Sequence, residues 1–249
     1  MSAPSRELLN QLSASLRRPS ASYLVPAIAA TALGHAPAWL PVIYAHHTSS
    51  LPAAPPLRSA SPLPALETIP RRRVLRELKE GLVKSAILVG VPRVIEALLE
   101  LRECVEEGAK DDSFVRRGMG GLGWEQAEVE RRGLEGLGRI YRDDIGPIWT
   151  KMGADMEDVR KHSLHLVPEL LEEADDFVAA EWFSKNITYG TFLTPHPLTG
   201  EPALNPDPLA HDPALLSVVT LSALIPQRTP REILWHLRFV LSVLCGNEI

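Results

Sequence analysis

The chain has 249 residues, 45% of them hydrophobic, enough for one large domain or two small ones whose core needs neither disulfides nor metals. Its 26 basic and 31 acidic residues leave a net charge of -5, with no long basic stripe, which argues against a nucleic-acid partner. Only two cysteines are present, Cys104 and Cys245, far apart and in no CxxC or metal-ligand spacing; this excludes the disulfide-rich secreted class and fits a reducing compartment.

Ser5 to Leu16 reads as a first helix whose Leu8, Leu9, Leu12 and Leu16 pack on the body. Arg6, Arg17, Arg18 and the nearby serines also have a weak mitochondrial-presequence character. An ordinary helix in an intracellular, cytoplasmic protein is the preferred reading, with a mitochondrial destination as the alternative. Tyr23 to Tyr44 is the most apolar window. Pro26, Pro37 and Pro41 interrupt it, so no membrane span is expected. Within it Ala21 to Leu33 is a helix closed by Gly34 and Pro37. Trp39 to His47 is a short helix or turn, and its His46 and His47 read as polar residues on a helix face. Leu51 to Pro70 is a Pro/Ala/Ser-rich connector, extended and exposed.

Arg71 to Arg76 is basic and opens the next helix. Basic residues there oppose the helix dipole, which suggests a role in solubility or in meeting a partner. Leu75 to Glu107 then reads as two amphipathic helices pinned by Gly90-Val91-Pro92. Leu75, Leu78, Leu82, Val83, Ala86 and Ile87 recur at helical spacing, followed by Ile95, Leu98, Leu99 and Val105. Gly90 is expected in a left-handed conformation at the end of the first helix, and Pro92 at the first position of the second.

Lys110 to Gly123 is a polar, Gly-rich loop. Trp124 to Tyr141 is a charged helix with Ala127, Leu134, Leu137 and Ile140 as its inner stripe. Asp144 to Thr150 is a turn, and Asp155 to Leu166 and Pro168 to Tyr189 are helices. Thr194 to Pro213 is a long loop with six prolines. Ala214 to Leu224 is an apolar helix. Thr229 to Leu244 is the last, with Pro230 at its first position and Thr229 as N-cap. No segment alternates as a strand does, so the fold class is all-α.

The chemistry-bearing motif lies on the last helix. Glu232 and His236 stand four residues apart and share one face. A carboxylate near an imidazole raises its basicity and fixes its tautomer, which suits acid/base work; His236 is then expected to titrate above a free histidine. Other polar clusters carry less. His162 and His165 have metal-ligand spacing but no third ligand, so no metal is expected. Asp143 and Asp144 lie beside Tyr141. His196 and His211 lie in the Pro-rich loop.

The VGxP helix pair, the Gly133 to Tyr141 segment (G, six residues, then I-Y) and the terminal Glu232, His236, Leu237, Arg238 pattern together resemble the alkylhydroperoxidase-D/carboxymuconolactone-decarboxylase superfamily, in its fungal-type two-repeat form. The resemblance implies an AhpD-like helical bundle with two imperfect repeats. The first occupies 1–110, with the connector 51–70. Residues 111–249 hold linker helices and a second, truncated repeat. It also implies a homo-oligomer and an enzyme acting on a small organic acid or lactone, with His236 as acid or base, Glu232 as its orienting partner and no cofactor. In the peroxidase branch the thiols would fall at Thr229 and Glu232. Neither is a cysteine, so thiol peroxidase activity is disfavoured. A non-catalytic helical scaffold or partner-binding protein is the alternative.

Overall fold

The computed structural model describes residues 2–16, 18–53, 70–110, 126–147, 183–194, 207–209 and 212–245. Every regular element among them is helical, as the absence of β-alternation predicts. No described helix is long and apolar enough to cross a membrane.

Helix α1 spans Arg6–Ser15, and the Ser5 hydroxyl accepts the Leu8 N–H at 3.1 Å, a side-chain cap. Of its three leucines, Leu9 is buried and Leu8 is exposed. Helix α2 is Pro19–Ala32 and buries most of its length, including Ala21, Leu24, Ala27 and Ile28. Gly34, at φ +74, ends it: its N–H bonds the Thr31 carbonyl and that of His35 bonds the Ala30 carbonyl, closing two otherwise orphaned groups. Helix α3 is Ala36–Thr48.

Helix α4, Pro70–Val89, and helix α5, Val91–Cys104, are the expected pinned pair. The pin differs in detail. Gly90 has φ +95 and ψ 136, a positive φ with an extended ψ rather than a left-handed helical one. Pro92 is the second residue of α5, not the first. A side chain at Gly90 would find open space, since the nearest foreign atom lies 4.0 Å from a built Cβ; the glycine is required by its dihedral alone.

Two stripes expected along this pair change. The Arg71 to Arg76 run is not a solvated face, because Arg72 and Arg76 are buried. The Arg72 guanidinium closes the end of a neighbouring segment, donating to the Gly108 carbonyl at 2.8 and 3.0 Å. On α5 the buried positions are Val94, Ala97 and Leu101, while Ile95 and Leu99 face out. The helix is apolar on two sides, and periodicity alone does not say which side faces the core.

The chain divides into two compact units, Met1–Val115 with Pro195–Ile249, and Arg116–Thr194. In the first, α4 packs against α2, α3, α5 and the helix α7, Pro213–Gln227. Asp212 caps α7, accepting the Ala214 N–H at 2.9 Å. Arg228, left-handed at φ +57, ends α7, and Pro230 opens α8, Pro230–Cys245, which packs back on α7. The Thr229 hydroxyl is directed back to the Leu224 carbonyl at 3.5 Å.

The second unit pairs α6, Gln126–Tyr141, with Phe183–Leu193, which is wound as a π-helix where an α-helical end was expected. A Cβ on Gly133 would collide with the Lys185 backbone, so the first residue of the Gly133 to Tyr141 motif is a packing glycine. The inner stripe of α6 keeps Leu137 and Ile140, with Val129 in place of Ala127; Leu134 is exposed. The helix expected over 155–166 lies outside the described residues, as do His162, His165, His196 and His211.

Candidate acid–base site in the α7–α8 hairpin

His236 sits on the inward face of α8 with 1% of its surface exposed. Its Nδ1 lies 3.2 Å from the Ser217 hydroxyl oxygen, on the facing turn of α7. Ser217 stands 11 residues before the Arg228 turn and His236 eight after it. In an antiparallel hairpin, positions at comparable distances from the turn meet. A serine inside the apolar run Leu215–Leu224 was therefore a usable signal for this partner, one that reading α8 alone could not give.

Burial pushes His236 down to about 4, opposite to the rise expected from a neighbouring carboxylate. The cause is removal of the imidazolium from water, so the ring is neutral at physiological pH. Glu232 lies one turn earlier on α8 and is half-buried. The ring nitrogens then divide two roles. When the Ser217 hydroxyl donates to Nδ1, the proton sits on Nε2. When Nδ1–H donates to the serine oxygen, Nε2 carries the lone pair. Such a hydroxyl partner lets the ring exchange tautomers, the requirement for passing a proton.

A second polar assembly, which the sequence did not announce, runs along α4. Glu77, Glu80 and Lys84 are 0%, 2% and 0% exposed, charges in a helix interior. Lys84 Nζ lies 3.2 Å from Glu80 Oε1 and 2.9 Å from Asp207 Oδ2, and Asp207 Oδ1 also accepts the Leu209 N–H at 2.9 Å. One turn toward the start of α4, Glu77 Oε1 accepts from Arg73 Nε at 2.8 Å, while its other oxygen accepts the Tyr23 hydroxyl of α2. Burial, then the Glu77 charge, raises the Tyr23 phenol well above its ordinary range, so it stays a donor. At the start of α4, Arg71 bonds Glu106 at 2.9 Å, and the Tyr44 hydroxyl donates to the same carboxylate at 3.0 Å. Burial pushes the Glu106 carboxyl up, but these two donors outweigh it and the group ends below its usual range.

His46 and His47 are not a simple solvated pair. Their rings meet edge-on at 4.8 Å, and His47 also meets the Tyr23 ring at 5.4 Å. Burial, then the His46 charge, lowers His47 to about 4. Cys104 is a free thiol, and burial pushes it up to about 11, so it is protonated at neutral pH. The Tyr189 hydroxyl donates to the Tyr141 hydroxyl at 3.2 Å. Among the described residues no group of three or more His, Cys, Asp or Glu is placed to hold a metal ion. Comparison of the chain with protein-family models, with curated proteins and with solved structures gives no match.

Proposed function

We propose that the chain is a cofactor-free acid–base enzyme of the carboxymuconolactone-decarboxylase-like type, acting on a small organic acid or lactone. His236 transfers the proton, Ser217 holds its ring, and Glu232 is the adjacent carboxylate. The two-repeat AhpD-like arrangement, 1–110 and 111–249, belongs to the same proposal. The observation that carries it is the neutral imidazole at 3.2 Å from a hydroxyl. A ring titrating near 4 is a base throughout the neutral range, and its conjugate acid surrenders the proton readily to a substrate carbon or leaving oxygen. Moving a proton from one carbon to another next to a carbonyl returns His236 to its starting state and consumes no cofactor, but it also requires a donor to the enolate oxygen that carries the charge between the two transfers.

The reading is tested by offering lactones and unsaturated small acids to the full chain and following ring opening and CO2 release. His236→Gln should lower turnover by about 10²-fold or more. Turnover that survives the substitution overturns the assignment. A non-catalytic scaffold is the second reading, favoured by the burial of Ser217 (0%) and His236 (1%), which leaves a substrate little access in this conformation. Absence of turnover, together with a His236 ring resonance that no compound in the panel moves, selects the scaffold.

A further inference from the structure

Helix α8 has a second face. Opposite the buried His236, Leu234, Leu237 and Leu241 are 49%, 40% and 55% exposed. Their three- and four-residue spacing forms one seam along the helix. Helix α5 carries a matching seam in Val91, Ile95 and Leu99, 54%, 53% and 54% exposed. Each seam has a charged flank of opposite sign. Arg231 and Arg238 are exposed beside the leucines of α8; Glu96 and Glu103 are exposed beside the seam of α5. Both pairs are seven residues apart, which is two turns and about 10.5 Å of helix.

We propose that α8 docks antiparallel on α5 of a second copy of this chain. The direction follows from the wheel positions. Arg231 and Arg238 lie on the same rotational side of their seam as Glu96 and Glu103 do of theirs. Two facing helices bring such like-sided flanks together only when they run antiparallel. Setting Glu96 opposite Arg238 then sets Glu103 opposite Arg231. In that register Leu241 falls between Val91 and Ile95, and Leu237 between Ile95 and Leu99, so the side chains interleave rather than collide. Arg102, exposed at the C-terminal end of α5, falls beside the start of α8 and opposes the contact. The docking uses the face of α8 turned away from His236, so it stands whether or not the acid–base reading does.

Sedimentation velocity of the full chain over a concentration series tests this. The wild type should form species heavier than the monomer as concentration rises. Leu237→Glu, Ile95→Glu, and the double reversal Arg231→Glu with Arg238→Glu should each leave only monomer. The complementary reversal, Glu96→Arg with Glu103→Arg, should also be monomeric alone. Mixing the two double-reversal chains should restore the heavier species, because each then offers the other a face of opposite charge. Arg102→Glu should shift the wild-type equilibrium toward the assembly. A wild type that stays monomeric overturns the proposal, as does a heavy species that persists in the leucine or isoleucine variant. Failure of the mixture to associate overturns the α5–α8 pairing even if the chain self-associates.

Discussion

Helix α4 buries Glu77, Glu80 and Lys84 as charges, each held by an oppositely charged group; α8 buries His236 as a neutral ring held by a hydroxyl. The sequences around them look alike, since both read as amphipathic helices with acidic and basic residues one turn apart. The difference lies in what the rest of the unit brings. To Lys84 it brings Asp207, from a segment more than a hundred residues away, so the side chain is paired and serves as a tertiary clasp. To His236 it brings Ser217, which has no charge to offer, so burial strips the proton instead. Low dielectric forces one of two outcomes on an ionisable group, pairing or neutralisation. The paired group is a structural element; the neutralised one is still free to exchange a proton.

The comparison breaks most visibly at Lys84. Lys84→Met should leave Glu80 and Asp207 buried without their shared cation, and cost about 3–5 kcal/mol in urea unfolding. The triple change Lys84→Met, Glu80→Gln, Asp207→Asn should recover much of that loss, since no charge is then stranded. A single substitution that costs under about 1 kcal/mol would mean the clasp is not closed in solution.

Acid treats the two regions differently. His236 and His47, lowered to about 4, are stabilising while neutral. Because their folded values lie below the unfolded 6.5, their contribution is complete above that value and is lost as pH falls through about 4. The thermal midpoint should therefore drop between those limits, and His236→Gln should flatten part of the drop. Identical acid profiles in wild type and variant would place His236 in water rather than in the core.

Gly90 joins α4 to α5, and its substitution isolates backbone strain from packing. With φ +95 and room for a Cβ, Gly90→Val should destabilise by more than about 1 kcal/mol through dihedral strain alone. An unchanged melt would show that the hinge relaxes to a conformation open to any residue.

Much of the helical framework was legible because its punctuation is local: Gly34, Gly90 and Pro230 start or stop helices by their own chemistry. The helix pair at 75–107 was legible for the same reason. The α4 charges were not. A glutamate and a lysine four apart look like a solvated pair, and only Asp207 and the surrounding helices make them interior. The candidate site was half legible. Glu232 and His236 announce themselves by spacing, but Ser217 and the depth of His236 depend on how α7 folds back, and that depth reversed the expected direction of titration. Likewise Ile95 and Leu99 satisfy helical periodicity yet face out, because α5 is apolar on two sides.

The smallest expected effect bears most directly on the site. Glu232 is half-buried, so Glu232→Gln should change stability by no more than about 0.5 kcal/mol. Its influence should appear in the proton affinity of the ring. A carboxylate one turn away favours the imidazolium through space, and glutamine does not, so the substitution should lower His236 further below the free-histidine range. Ser217→Ala acts in a different way. It removes a hydroxyl that bonds the neutral ring in either tautomer, while burial is unchanged. NMR titration of the ring protons in the three proteins separates the two influences. A downward shift in Glu232→Gln alone assigns the electrostatic bias to Glu232 and leaves Ser217 the task of orienting the ring. If the ring titrates identically in wild type and Glu232→Gln, the carboxylate plays no part at the imidazole, and the site reduces to the Ser217–His236 pair.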